Sequence, residues 1–234
     1  MVETSHYRSK IFIGITLYRP DDRFLESLPK FIEECSKDYD IQVITVPNRE
    51  LPDAQNLIAK YFLQETDYDY LLFLEDDHWN HKKEMLDSIV KFDKDVLAIN
   101  YYSRHFPYVN CLMREIRPDS PYERFAGLHY TQGFYKCDLA GFAMTLIKRR
   151  VFKKLEQPYF RYNTYLNNGY ATDVDFSDRL KEAGIDIWGC FDYVLPHRDI
   201  TKDNRLEKFE EGIKKHRYNE IKNLLNGRRK QCLV

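Results

Sequence analysis

Between Tyr70 and Trp79 the chain reads Tyr-Leu-Leu-Phe-Leu-Glu-Asp-Asp-His-Trp, a bulky apolar run that stops at three consecutive carboxylates. Such a run is the pattern of a strand covered on both faces, as in a parallel sheet flanked by helices. Glu75, Asp76 and Asp77 are therefore delivered to the end of a buried strand. Like charges this close are costly to keep ionised beside a core unless a cation or hydrogen-bond donors compensate. Oxygen ligands suit Mg²⁺ or Mn²⁺, ions that use one or two protein carboxylates and take the rest from water and substrate phosphates. The bland alternative is a polar turn in which an Asp caps the next helix.

The flanking segments say what kind of sheet this strand belongs to. Lys10 to Thr16 reads as a first buried strand, and Leu17-Tyr18-Arg19-Pro20-Asp21-Asp22 as a loop and helix start. Leu25, Leu28, Phe31 and Ile32 follow at helical spacing, and Ile41 to Val46 is a second strand. Pro52 opens a helix with Ala54, Leu57, Ile58, Tyr61 and Phe62 on one face. After the acidic strand, Met85, Leu86, Ile89 and Val90 predict a helix and Val96 to Asn100 a strand. This β-α-β-α-β-α-β order predicts an α/β fold, a Rossmann-type open, mainly parallel twisted sheet with helices on both faces. Ligands of such sheets lie beyond the carboxyl ends of the strands. Thr16, Tyr18 and Arg19 after the first strand then share one crevice with Glu75, Asp76 and Asp77. No Gly-x-Gly-x-x-Gly and no Gly-Lys-Ser/Thr is present, which leaves a metal-bridged diphosphate as the way to hold phosphates.

In the second half the periodicity dissolves from Tyr101 to Cys137, the pattern of a functional loop or flap. Order returns in a strand over 138–147, with a helix expected over 148–155. Gly141 either lets a ligand approach the backbone or is a tight packing glycine. Ala171 to Leu180 reads as a helix start in which Thr172 or Asp173 caps. Asp173 and Asp175 are two apart, so at most one of them faces the crevice. Ile185 to Cys190 is a strand, and a further extended piece ends at His197, either structural or one more ligand for a divalent ion. The tail, 203–234, reads as a basic amphipathic helix packed on or extending from a main domain at 1–202. Its charged face is either simply solvated or a peripheral membrane contact.

Composition narrows the setting. A net charge of -1 offers no global basic field for nucleic acid. Five widely spaced cysteines without a Cys-x-x-Cys pair argue against a disulfide framework and against a zinc site. The first residues lack the apolar core of a secretory signal and no run reaches the length of a membrane span, so a soluble, cytoplasmic protein is expected.

Taken in order, the parts resemble the GT-A fold nucleotide-sugar glycosyltransferases, especially compact family 2-like members, over roughly residues 10 to 200. Four segments carry the resemblance: Ile13 to Tyr18, Ala54-Gln55-Asn56, Leu72 to Asp77 as an Asp-x-Asp motif, and Gly141 to Phe152 followed by Thr172 to Phe176. Glu75 stands where Asp is usual, Gln55 where relatives often have Arg, and Thr172 where they have an acid. The resemblance implies a hexosyltransferase-like enzyme that uses Mn²⁺ or Mg²⁺ and a UDP- or GDP-sugar, with a glycan, lipid-linked or protein acceptor. It implies that Thr16, Tyr18 and Arg19 border the base, Glu75 and Asp76 the ribose side, and that Asn56, Gly141 and Asp175 belong to the substrate site. Asp77 and His197 are the implied metal ligands, with His78 in place of Asp77 if the register is Asp76-x-His78. Asp173 is the implied catalytic base of an inverting reaction. Rival readings are a catalytically inactive sugar- or nucleotide-binding module of the same fold and a nucleotidyltransferase. The second normally carries a glycine- and lysine-bearing phosphate loop, which is absent here.

Overall fold

The computed structural model describes residues 8–103, 109–120, 124–162 and 172–198. The expected tail helix over 203–234 and the 163–171 segment lie outside the described residues. The first half alternates strand and helix: β1 (Lys10–Leu17), α1 (Asp22–Cys35), β2 (Asp40–Pro47), α2 (Leu51–Glu65), β3 (Tyr70–Glu75), α3 (Lys83–Phe92) and β4 (Val96–Tyr101). Then come β5 (Leu112–Glu115), β6 (Phe125–Gly127), β7 (Phe134–Cys137), β8 (Leu139–Ala140), β9 (Met144–Lys148), α4 (Arg149–Phe152), α5 (Thr172–Glu182) and β10 (Ile187–Leu195).

The main sheet runs β2-β1-β3-β9-β4-β10-β7. Pairing is parallel for β1 with β2, β1 with β3, and β4 with β10. The mainly parallel sheet has one antiparallel strand within it, because β9 inserts between β3 and β4, antiparallel to both. Chain order does not reveal this, because β9 returns only after the excursion through β5 to β8. That excursion is not a plain loop. Its strands β6-β5-β8 form a second small sheet. The helix expected over 148–155 is only the short α4, since Val151 and Phe152 turn into the core and the chain then turns away.

The two faces of the main sheet each carry a core, one built on Phe12, Ile58, Phe62, Phe73, Phe142 and Phe176, the other on Ile13, Phe24, Phe31, Leu72, Leu86 and Ile99. Each fully buried Phe contributes about 1.5–3 kcal/mol relative to exposure. Local chemistry starts and stops the helices. Asp21 caps α1 by accepting from the Arg23 amide at 3.0 Å, and Pro52 sits in the first turn of α2. α2 lies unusually close to β1, because a Cβ on Gly14 would fall 2.2 Å from Ile58 Cγ2. This packing sets the amino end of α2 beside the carboxyl ends of β1 and β3, where a cleft opens. Among the described residues, no helix is long and apolar enough to cross a membrane.

Candidate active site

β3 ends at Glu75 and the chain turns through Asp76, Asp77 and His78. The Asp76 carboxylate is buried and ties the two expected loops together. One of its oxygens accepts from the backbone amides of Tyr18 at 2.7 Å and Arg19 at 2.9 Å, and the Asp21 amide donates to its carbonyl at 2.8 Å. Burial pushes the Asp76 pKa upward, against the pull of those two amides, and the neighbouring Asp77 charge adds to the rise. The expected ribose contact thus falls on a carboxylate already committed to shaping the β1 loop.

Asp77 is placed differently. Its Oδ1 lies 2.9 Å from His78 Nδ1 and its Oδ2 3.2 Å from His197 Nε2. Burial alone would raise its pKa, but the hydrogen bonds from His197 and His78 outweigh it and hold the carboxyl well below the usual range. His197 reaches this point because residues after β10 continue the pairing: His78 and His197 form an antiparallel bridge, and the Arg198 amide donates to the Asp77 carbonyl at 2.9 Å. The two imidazoles stack at 4.3 Å between centroids, 17° from parallel. Asp77, His78 and His197 therefore offer one carboxylate oxygen and two imidazole nitrogens within 4.8 Å of one another, and all three residues are buried.

The other nitrogen of His197 decides what this cluster needs. Nδ1 lies 3.1 Å from the Tyr102 carbonyl, which can only accept, so Nδ1 carries the hydrogen. In neutral imidazole Nε2 is then a lone pair facing the Asp77 oxygen, acceptor against acceptor. Only a proton on Nε2 or a cation between the two relieves that contact. The donor set fits a divalent transition ion, for which mixed imidazole and carboxylate ligation is suitable.

Beside the cluster lies a cleft of about 390 Å³ bordered by Thr16, Tyr18 and Glu75 of the expected site. Three guanidinium groups, Arg19, Arg49 and Arg198, also line it. Sequence reading flagged Arg19 and missed the other two, whose positions outside any periodic segment gave no signal. Tyr18 stands at the mouth, 60% exposed, with the Arg19 guanidinium 5.3 Å from its ring centre.

Asp173 occupies the first turn of α5 and accepts from the Val174 amide at 2.9 Å. Burial pushes its carboxyl up to about 6. Burial raises the Tyr101 phenol well above its ordinary pKa, and the charges of Cys111, Glu75 and Asp173 add to that rise, while the Tyr101 ring lies edge-on to His78 at 4.6 Å. The Tyr101 side chain therefore meets the imidazole cluster and feels the charges of Glu75 and Asp173.

Three further residues expected at the substrate site make contacts within the chain and do not line this cleft. The Asn56 amide donates to the Phe160 carbonyl at 2.7 Å and accepts from the Phe160 amide at 3.1 Å, so it braces α2 against the 160s segment. Asp175 pairs with Arg161 through two contacts of 3.0 and 3.1 Å on another side of α5. Gly141 is a packing glycine filled by Tyr101, for a Cβ there would fall 1.8 Å from the phenol oxygen.

No protein-family model matches the chain, and no curated protein sequence matches it. Solved structures do. The crystal structure of A197 from STIV is similar at 20% identity with a TM-score of 0.52, covering 82% of this chain and 85% of that one, a likeness of fold. S. aureus TarS 1-349 in complex with UDP is matched at 13% identity and a TM-score of 0.42, over 80% of this chain. GalNAc-T7 with UDP, GalNAc and Mn²⁺ is matched at 11% identity and a TM-score of 0.46, over 84% of this chain. The chain spans 59% and 45% of the lengths of those two.

Proposed function

We propose that the chain is a metal-dependent glycosyltransferase that moves a sugar from a nucleoside-diphosphate sugar to an acceptor hydroxyl with inversion. The observation that carries this reading is the contact among Asp77, His78 and His197, whose carboxylate oxygen and imidazole nitrogens lie within 4.8 Å of one another beside a cleft lined by Arg19, Arg49 and Arg198. A divalent cation held by Asp77, His78 and His197 suits that contact. The two imidazoles favour Mn²⁺ over Mg²⁺, which prefers an all-oxygen shell. When bound, such an ion supplies charge neutralisation to the departing diphosphate.

The remaining roles fall to the chain's own side chains. Arg19, Arg49 and Arg198 border the cleft where phosphates would lie and can bind their oxygens through paired N–H groups. Tyr18 offers an exposed ring face to the base, and Glu75 a carboxylate to ribose hydroxyls. Asp173, with a pKa of about 6, is ionised at neutral pH and still basic enough to take the proton of the acceptor hydroxyl. That oxygen forms its bond to the anomeric carbon as the bond to the diphosphate breaks on the opposite face. One displacement inverts the centre.

The test is thermal unfolding of the full chain with UDP or GDP, with and without Mn²⁺. A nucleotide present at about a hundred times its Kd should add roughly 2.7 kcal/mol of stability. It should do so with Mn²⁺ and not with chelator, and Asp77→Ala and His197→Ala should abolish the gain. Equal stabilisation in chelator, or undiminished stabilisation of both variants, would remove the metal from the reading. Release of UDP or GDP from nucleotide sugars in the absence of acceptor separates an enzyme from a binding module.

A further inference from the structure

The cluster of Asp77, His78 and His197 is assembled from the turn after β3 and the segment after β10, and a third element presses on both of its rings. Tyr101, the last residue of β4, is 7% exposed. Its ring meets the His78 ring at 4.6 Å and 80°, and the His197 ring at 5.8 Å and 86°. Both contacts are edge-to-face, the arrangement that aromatic quadrupoles prefer. A single wedge thus bears on two imidazoles that are themselves stacked at 4.3 Å.

The opposite end of the wedge is seated just as closely. A Cβ on Gly141 would lie 1.8 Å from the Tyr101 hydroxyl oxygen and 2.7 Å from Cζ. No side chain can stand at 141 while the phenol stays where it is. Nor is Gly141 free to retreat, since its carbonyl accepts from Thr145 Oγ1 at 2.7 Å, and Thr145 sits in β9 paired with both Phe73 and Ala98. The phenol is held between a fixed backbone and the two imidazoles.

We propose that Tyr101, seated over Gly141, is a positioning residue that presets the orientations of His78 and His197 for a divalent cation. This inference rests on the metal-binding reading given above. Tyr101 is assigned no contact with the ion and acts only through the imidazoles. Hydrogen-bonded partners that orient metal-ligating histidines typically change metal affinity 10- to 100-fold when removed, and a ring seated against both imidazoles is expected to act on the same scale. The ring, not the hydroxyl, does this work, so a phenylalanine should serve.

The experiment measures Mn²⁺ affinity of the full chain by electron paramagnetic resonance, alongside the midpoint of thermal unfolding. Tyr101→Leu is expected to weaken Mn²⁺ binding about 10- to 100-fold and Tyr101→Phe by less than about threefold. Gly141→Ala, which touches no candidate ligand, should weaken it about as much as Tyr101→Leu. The double variant Tyr101→Leu/Gly141→Ala should lose no more than Tyr101→Leu alone, because both changes act on one contact. Phe62→Leu, in the core against Phe12 and Phe152, serves as a control that loses stability without losing Mn²⁺. Normal Mn²⁺ affinity in Tyr101→Leu overturns the inference, as does an equal affinity loss in Phe62→Leu. Failure of the unaltered chain to bind Mn²⁺ overturns the metal-binding reading itself and is seen before any variant is made.

Discussion

At the scale of single residues, the carboxylates of Asp76, Asp77 and Asp173 receive three different settings. Asp76 is drawn into backbone amides, Asp77 into imidazoles, and Asp173 is half-buried, with desolvation raising it to about 6. Only the last setting suits proton abstraction near neutral pH. Asp173→Asn is expected to lower kcat by roughly 10²- to 10⁴-fold while UDP affinity stays within about twofold. If the proposed reaction is observed, kcat/KM of the unaltered chain should fall about tenfold per unit as pH drops below about 6, where Asp173 takes up its proton. Steady-state kinetics from pH 4.5 to 8 with a saturating donor checks both. A different expectation attaches to Gln55, which is 1% exposed with no hydrogen-bond partner for either amide atom among the described residues. A buried orphan amide is destabilising, so Gln55→Met should raise stability by about 1 kcal/mol, seen as a melting midpoint roughly 2–4 °C higher.

At the scale of elements, α2 links the cleft to the far end of the sheet. Its amino end borders the cleft through Glu50 and Leu51, and its carboxyl end is closed by a side chain from α4. Arg149 donates to the carbonyls of Phe62 and Leu63 in the last turn of α2 and of Thr66 and Tyr68 just beyond it, at 2.6 to 3.2 Å, placing a cation at the carbonyl end of the helix. Arg149→Ala should cost about 2 kcal/mol, read as a lower urea midpoint at unchanged slope, and Arg149→Lys should recover only part because it lacks the planar fork. The helices α1, α2 and α3 are legible in the sequence because their apolar residues repeat every three or four positions. α4 is not, since Arg149 and Arg150 look like the exposed side of a longer helix until the structure shows one of them capping α2.

For the molecule as a whole, one consequence of packing is a built-in sensitivity to acid. His81 is buried between Phe24 and Phe31 beneath the acidic turn, and burial lowers its pKa from 6.5 to about 3. A folded-state pKa below the unfolded one means that the unfolded chain binds the extra proton first. The stability His81 provides is therefore fully present above pH 6.5 and drains away as pH falls toward 3. Asp173 works in the opposite sense between about 6 and 3.8, because its raised pKa lets the folded chain take the proton first. The contribution of His81 is isolated by comparing the unaltered chain with His81→Phe. The variant should show a smaller drop in melting midpoint between pH 7 and pH 4.5, and equal drops would place the acid sensitivity elsewhere.

Local patterning determined the alternation of strands and helices and the delivery of Glu75, Asp76 and Asp77 to the end of a buried strand. Those features depend on neighbours a few residues apart, and the hydrophobic period records them directly. Tertiary structure alone decided that β9 parts β3 from β4, that His197 lies 3.2 Å from Asp77 across 120 residues, that Asn56 braces the Phe160 backbone, that Asp175 pairs with Arg161 and that Gly141 makes room for Tyr101. The physical reason is that a polar side chain's role is set by whichever partner reaches it first in space. For these residues that partner comes from a distant part of the chain, and no spacing in the sequence encodes the meeting.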